Sequence, residues 1–287
     1  MTTATLIDGK RVAQEMHQQT AQRVERIKQA TGVTPCLATI LVGDDPASAK
    51  YVASKGRLCE KLGMRSLRLH LPEKTTTQEL IAQIEQLGRD PQVHGILLQH
   101  PAPRHIDERA AFESIPPAKD VDGVTFYSFG TMFFGLPGFG SCTPAGIIHL
   151  LDAYQVPIAG SRAVVIGRSA ILGKPMAGML LARDATVTIC HSKTRDLPDV
   201  VREGDIVVAA VGRPRFVQGD WIKPGAVVID AGFNPGPQGN IGDVDFESAA
   251  PRASLITPVP GGVGPMTLAV LVDQTSIAAA RQLGLEA

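Results

Sequence analysis

Apolar positions in the first hundred residues switch repeatedly between helical spacing and short continuous runs. Val12, Met16, Ala21, Val24 and Ile27 form an apolar stripe that predicts a helix over Lys10 to Ala30, ended by Gly32. Cys36 to Val42 (CLATILV) is an apolar run of strand length, stopped by Gly43-Asp44-Asp45-Pro46. A second helix is predicted from Pro46 to Leu62, a strand from Arg65 to Leu71, and a helix from Thr77 to Leu87. Thr75, Thr76 and Thr77 offer N-cap hydroxyls to that helix. Val93 to Leu98 reads as a third strand. The order βαβαβ predicts a parallel, helix-covered sheet.

Residues Pro101 to Gly140 break this rhythm. Pro-rich turns lead to Lys119-Asp120-Val121-Asp122-Gly123 and then to an aromatic, Gly-rich piece from Phe126 to Phe139. A connection this long and this apolar reads as functional rather than disordered. Cys142-Thr143-Pro144-Ala145-Gly146 opens a helix to Tyr154, expected to bridge two domains. In the second half, strands are expected near 163–166, 185–190, 205–210 and 226–230, with Gly212 and Gly232 just past strand ends. The rigid Pro258 to Thr267 loop opens a last helix, Thr267 to Leu283, expected to return to the first domain.

The densest local signal is AVVIGRSAILGKP, Ala163 to Pro175. An apolar strand ends in Gly167-Arg168-Ser169, and Gly173-Lys174-Pro175 starts a helix of small apolar residues. A helix N-terminus after such a turn presents unbonded N–H groups and the positive dipole end, which suits a phosphate. The spacing is G-x-S-x-x-x-G rather than G-x-G-x-x-G. A buried turn that needs glycine only for its geometry is the plainer alternative. After the next strand (ATVTIC) come His191-Ser192-Lys193-Thr194-Arg195. NAD binders tend to carry an acid there, about 20 residues past the glycines. Hydroxyls and bases with no acid favour a 2′-phosphate, hence NADP, with Arg168 as a further clamp; a solvated basic loop is the alternative.

Composition narrows the class. The chain has 287 residues, formal net charge zero and 44% hydrophobic residues, enough for two domains. No basic excess points to nucleic acid. No apolar run is expected to reach the length of a membrane span, and MTTATLIDGK lacks the look of a signal segment. Cys36, Cys59, Cys142 and Cys190 are scattered, without metal or disulfide spacing, and the seven histidines form no metal pattern. A soluble cytoplasmic protein without a metal is expected.

Four residues of the first half could carry chemistry. Tyr51 and Lys55 stand one helical turn apart and share a face. A desolvated Lys there could serve in acid/base work, although such a pair also suits an exposed face. Gln99 ends the third strand, at the carboxyl edge where parallel sheets bind ligands, and could orient the Lys without neutralising it. Asp120 and Asp122 follow in a loop, where a carboxylate could grip an amidine-like N–C–NH₂ edge or merely be solvated.

Taken together, Tyr51-Val52-Ala53-Ser54-Lys55, Gly95 to Gln99, Lys119 to Gly123, Cys142 to Gly146, the Gly167 to Pro175 turn and Pro260-Gly261-Gly262-Val263-Gly264-Pro265-Met266-Thr267 resemble one family. It is the bifunctional methylenetetrahydrofolate dehydrogenase/methenyltetrahydrofolate cyclohydrolase family of the FolD type. The resemblance covers essentially the whole chain.

It implies an α/β fold: a folate-binding catalytic domain over 1–143, completed by 267–287, and a Rossmann-like NADP-binding domain over 144–266. It also implies NADP-dependent oxidation of 5,10-methylenetetrahydrofolate to the methenyl cation, followed by hydrolysis to 10-formyltetrahydrofolate. Asp122 would anchor the pterin edge. Lys55, neutral in the complex and held by Gln99, would assist water addition and ring opening, and Tyr51 would orient the folate. Gly167, Arg168 and Ser169 map to the pyrophosphate turn, Ser192 to the 2′-phosphate and Phe233 to the nicotinamide end. Pro260, Gly261 and Gly262 would border the folate. A homodimer is implied.

The chain departs from the family at His100 and Ala102, where it usually reads Gln-Leu-Pro-Leu-Pro, at Ser128 in place of an expected Asn, at Ser141 in place of a Pro, and in the aromatic 126–139 stretch. Two alternatives remain. A short-chain dehydrogenase also uses Tyr-x-x-x-Lys, but after its cofactor turn rather than more than a hundred residues before it. A non-catalytic NADP- or folate-binding module would leave the polar set idle.

Overall fold

A computed structural model describes residues 4–237 and 239–286. In chain order its elements are β1 (Thr5–Leu6), α1 (Gly9–Thr31), β2 (Cys36–Val42), α2 (Pro46–Lys61), β3 (Arg65–Leu71), α3 (Thr77–Arg89), β4 (Gly95–Leu98), α4 (Glu108–Glu113), α5 (Phe126–Phe133), α6 (Cys142–Ala153), β5 (Arg162–Ile166), α7 (Gly173–Leu181), β6 (Thr186–Cys190), α8 (Leu197–Arg202), β7 (Ile206–Ala209), β8 (Val227–Asp230), α9 (Phe246–Ala249), β9 (Leu255–Ile256) and α10 (Val263–Gln282). They form two compact units.

The first unit holds Glu15–Thr131, Pro137–Gly140 and the chain from Leu268 onward, around a parallel sheet of order β3-β2-β4. Every residue of the central strand β2 is buried. Ala38, Ile40, Leu80, Ile84, Ile96, Leu98 and Phe112 interlock on it, and each large aliphatic so buried contributes about 1.5–3 kcal/mol. A capping box closes the start of α3: Thr76 Oγ1 accepts from Glu79 N at 3.2 Å, and Glu79 Oε2 accepts from Thr76 N at 2.8 Å. At its other end Lys119 Nζ donates to Asp90 O at 2.7 Å and to Leu87 O at 3.3 Å.

The second unit holds the described residues up to Gln14, Met132–Leu136 and Ser141–Thr267, around a parallel sheet of order β1-β9-β8-β7-β5-β6. Central strands β5, β7 and β8 are buried and apolar apart from an exposed Arg162 at the start of β5 and Asp230 at the end of β8; edge strand β6 exposes Thr186, Thr188 and Ile189. Such continuous apolar runs are expected of parallel strands covered on both faces. The predicted strands of both sheets are present with ends shifted by a residue or two. Strands β1 and β9 have two residues each and pair with one another in parallel, a non-local contact without a local pattern.

The dividing lines within helices fall inside α1, α5 and α10. They also separate residues before Glu15 from the rest of the predicted 1–143 domain, because β1 joins the six-stranded sheet.

Four expectations need correction. The Phe126 to Phe139 stretch contains a helix, α5, where an irregular connection was expected. The last helix starts at Val263, a turn before Thr267, because Pro265 is tolerated in a first turn. At 20 residues, with an 18-residue stretch of mean hydropathy 1.3, that helix is also long and apolar enough to cross a bilayer; 61% of that stretch is buried, as befits a core helix. Finally, α6 belongs wholly to the six-stranded unit rather than joining two.

Candidate active site

In the three-stranded unit, α2 starts cleanly because Asp45 Oδ2 accepts from Ser48 N at 2.7 Å and Pro46 opens the first turn. Tyr51 lies near that start and is 37% exposed; Lys55, a turn later, is 9% exposed. Burial pushes the Tyr51 phenol above its ordinary range. The Lys55 Nζ donates to Gln99 Oε1 at 2.9 Å. Gln99 itself is fixed twice: its N–H extends the β2–β4 ladder to Ile40 O at 2.8 Å, and its Nε2 donates to His100 O at 2.7 Å. That second bond settles which end of the amide faces Lys55.

The Lys119 to Gly123 segment separates into structural and available parts. Lys119 is spent on the end of α3. Asp120 is fully buried and accepts from Val124 N, Thr125 N, Thr125 Oγ1 and Ser128 Oγ at 2.6–3.1 Å. Asp122 is half-buried and remains the candidate ligand-binding acid. Its loop is seated by two neighbours. A Cβ on Gly95 would stand 2.7 Å from Val121 Cγ2, and Gln274 Nε2 donates to Val121 O at 2.8 Å. Tyr51, Lys55, Gln99 and Asp122 thus belong to one unit.

Two departures find local partners. The His100 ring meets both oxygens of Glu108 at 2.8–2.9 Å, and Glu108 Oε1 also accepts from Ala102 N at 2.5 Å. Ser128 takes part in the Asp120 network described above.

In the six-stranded unit, Gly167 adopts φ +133°, and a Cβ there would stand 2.2 Å from Ala210 O. A Cβ on Gly173 would stand 2.3 Å from Gly167 O, so the turn closes only with glycine at both ends. Ser169 Oγ accepts from Leu172 N at 3.2 Å and Gly173 N at 3.3 Å, tying the turn to the start of α7. Gly167 N donates to Cys190 O at 2.9 Å, which sets the 191–195 loop beside the turn. Arg168, Ser192, Lys193 and Arg195 are all exposed there. A helix start, hydroxyls and bases without an acid fit a phosphorylated dinucleotide. Phe233 is 48% exposed in the turn after β8.

The predicted Pro260, Gly261 and Gly262 lie in this second unit. A Cβ on Gly9 would overlap Gly262 O at 1.8 Å, so α1 begins in contact with that loop. The loop's sequel also packs locally. A Cβ on Gly146 would stand 2.8 Å from Met266 Cβ, and Thr143 Oγ1 and Thr267 Oγ1 are 3.0 Å apart. The two recognisable segments CTPAG and GPMT are therefore packing partners.

Sequence reasoning missed a pair of buried acids, Asp230 and Asp243, 4% and 0% exposed. Asp230 accepts from Gly232 N, Asp243 N and Val244 N; Asp243 accepts from Val211 N, Gly212 N, Arg213 N and Asn234 Nδ2. Burial raises Asp230 to about 6, against the pull of its three N–H donors. The only local hint in the chain is an acid flanked by turn glycines.

The sheet orders and the glycine turn define a dinucleotide-binding α/β protein with a separate lysine-bearing α/β unit. Residues 7–122 match the family described as tetrahydrofolate dehydrogenase/cyclohydrolase, catalytic domain, and residues 141–283 match its NAD(P)-binding domain. The chain belongs to the tetrahydrofolate dehydrogenase/cyclohydrolase family. It is 63% identical to Bifunctional protein FolD 1 of Streptomyces avermitilis over 99% of this chain and 98% of that one. The crystal structure of the bifunctional FolD enzyme of Campylobacter jejuni superposes with a TM-score of 0.95 at 45% identity, covering 97% of this chain and 99% of that one. The Trypanosoma brucei FolD, solved with NADP cofactor and an inhibitor, gives 0.95 at 38% identity over 99% of each chain.

Proposed function

We propose that this chain oxidises 5,10-methylenetetrahydrofolate to the 5,10-methenyl form and hydrolyses that product to 10-formyltetrahydrofolate, with NADP as the cofactor. The observation that carries the hydrolytic half is the 2.9 Å bond from Lys55 Nζ to Gln99 Oε1, with Lys55 only 9% exposed and half-buried Asp122 in the same unit. Folate chemistry is assigned to the 1–143 and 267–287 region, and cofactor binding to 144–266.

NADP, when bound, supplies a hydride acceptor. Gly167, Arg168 and Ser169 would hold its pyrophosphate, Ser192 its 2′-phosphate, and Phe233 would lie at its nicotinamide end. Asp122 accepts hydrogen bonds from the pterin edge, and Tyr51 orients the ring. Pro260, Gly261 and Gly262 border the folate. Lys55, uncharged in the complex, takes a proton from the water that adds to the methenyl carbon and gives it to the ring nitrogen whose bond to that carbon breaks; the hydroxyl proton leaves to solvent as the formyl C=O forms. A permanent cation there would repel the cationic substrate. Gln99 fixes the Lys55 nitrogen without neutralising it.

Edge strand β6, with Ile189 42% exposed, and Leu181, 55% exposed, support a homodimer. Four buried free thiols fit a reducing, cytoplasmic setting.

The test is absorbance-monitored reduction of NADP, with NAD in parallel, on addition of 5,10-methylenetetrahydrofolate to wild type and Lys55→Ala. Turnover preferring NADP, with methenyl product accumulating only in the variant, supports the reading. No reduction by a folded, NADP-binding protein overturns it, and a non-catalytic binding module then leads.

A further inference from the structure

Phe233 is the one proposed cofactor residue whose backbone neighbours are both gripped by buried carboxylates. On its N-terminal side, Gly232 N donates to Asp230 Oδ1 at 2.8 Å. On its C-terminal side, Asn234 Nδ2 donates to Asp243 Oδ1 at 2.9 Å, and the Asn234 backbone pairs with Ile241 through N–H to O bonds of 3.0 and 2.8 Å.

The two acids are themselves interlocked. Asp243 N donates to Asp230 Oδ1 at 2.8 Å, and Val244 N to Asp230 Oδ2 at 2.9 Å. Glycines let them seat: a Cβ on Gly232 would stand 2.5 Å from Asp243 Oδ1, and one on Gly242 would stand 1.9 Å from Asp230 Oδ2. Asp243 reaches a third segment as well, accepting from Val211 N at 2.5 Å, Gly212 N at 2.8 Å and Arg213 N at 2.9 Å. The turns that follow β7 and β8, both at the carboxyl edge of the sheet, are therefore hung on one acid pair. Parallel sheets bind their ligands at that edge.

We infer that Asp230 and Asp243 are positioning residues for the dehydrogenase step, holding the Gly232–Asn234 turn so that Phe233 meets the nicotinamide in a fixed register. The inference rests on the proposed placement of Phe233. The reason is geometric. Loop N–H groups at a sheet edge have no ladder partner, and a buried carboxylate binds several at once with charge-assisted bonds. A misplacement of about 1 Å in a reacting geometry can cost about a hundredfold in rate. Loss of the Asn234 donor, which lies in the turn after β8, therefore moves the reacting ring rather than the phosphates, which are proposed to sit at the ends of β5 and β6.

Protonation loosens the same device. A protonated Asp230 presents an O–H among three N–H donors. Burial and the adjacent Asp243 place its titration at about 6, and Arg215, Asp245 and Glu247 line the same cavity of about 300 Å³.

The test compares NADP with 2′-phospho-ADP-ribose, which keeps the phosphates and lacks the nicotinamide. Calorimetric affinities for both, and single-turnover NADP reduction, are measured for wild type, Asn234→Ala, Asp243→Asn and Phe233→Ala. Asn234→Ala is expected to slow hydride transfer about tenfold and to weaken NADP binding, with affinity for 2′-phospho-ADP-ribose unchanged. Asp243→Asn is expected to do more; should it fail to fold, Asn234→Ala carries the test. In wild type, the difference between the two affinities is expected to shrink as pH falls through 6, which cancels titration of the shared 2′-phosphate. Equal loss of both affinities in Asn234→Ala, or no change in either affinity or rate, overturns the inference. If Phe233→Ala impairs NADP binding while Asn234→Ala does not, the positioning role falls and the placement of Phe233 stands. If Phe233→Ala changes nothing, the placement falls, and the inference with it.

Discussion

Lys55 Nζ and Gln99 Oε1 lie 2.9 Å apart, joining a residue of α2 to the residue that ends β4. Forty-four positions separate them in the chain, and the bond exists because β2 brings both elements to one sheet edge. Lys55→Arg keeps a cation and loses the group that can shed a proton. Cyclohydrolase turnover is expected to fall by about 10²–10⁴-fold, the usual value of a positioned acid/base group, with dehydrogenase activity retained. Accumulation of the methenyl product measures it.

Asp120 and Asp122 should part company on mutation. Asp120→Asn disrupts a buried carboxylate that accepts four hydrogen bonds and is expected to cost about 2–3 kcal/mol of stability. Asp122→Asn is expected to raise KM for the folate with little change in melting temperature. Thermal melts beside steady-state kinetics separate the two.

At the cofactor turn, Gly167→Ala forces a Cβ into Ala210 O at 2.2 Å in a left-handed backbone region. A loss of about 2–4 kcal/mol and of NADP binding is expected, read by melting and by calorimetry. Gly212→Ala meets no neighbouring atom, yet its φ of +64° still strains it; about 1 kcal/mol is expected.

Ser192→Asp places an acid where a 2′-phosphate is expected. NADP turnover should fall relative to NAD, with the ratio of kcat/KM values shifting by about tenfold or more. Parallel assays with both cofactors check it.

His94 predicts an acid limb in stability. Its Nδ1 accepts from Cys36 N at 3.1 Å inside the core, and burial, then Lys119 and Arg65, lower its pKa below 6.5. The folded state therefore disfavours the proton. Stability is present above pH 6.5 and is lost as pH falls below it, by at most about 1.4 kcal/mol per pH unit per proton. His17, also lowered, adds the same sign. Asp230 acts oppositely: raised from 3.8 to about 6, it favours the folded state below 3.8, and that contribution is lost as pH rises through about 6. Chemical denaturation across pH 5–7.5 for wild type and His94→Asn isolates the histidine, whose removal should flatten the slope.

Local patterns carried most of the architecture. The buried runs CLATILV, AVVI and IVVA read as strands because parallel strands covered on both faces need apolar residues throughout. The glycine turn at Gly167 and the basic loop at Ser192 were legible because a tight βα turn and a phosphate each demand particular residue types at short range. Strands β1 and β9 were not, since two residues that pair across 250 positions have no period of their own. Helix α5 was masked by glycines and aromatics that also suit a loop.

The site divides along the same line. The chain by itself determined the sheet pattern, the cofactor turn and the candidate set Tyr51, Lys55, Gln99 and Asp122. Only the tertiary structure decided that Asp120 and Lys119 are structural, that His100 is latched to Glu108, and that Asp230 and Asp243 organise the turns after β7 and β8. Side-chain type and spacing are local quantities, whereas which donor a buried carboxylate meets depends on segments that folding brings together.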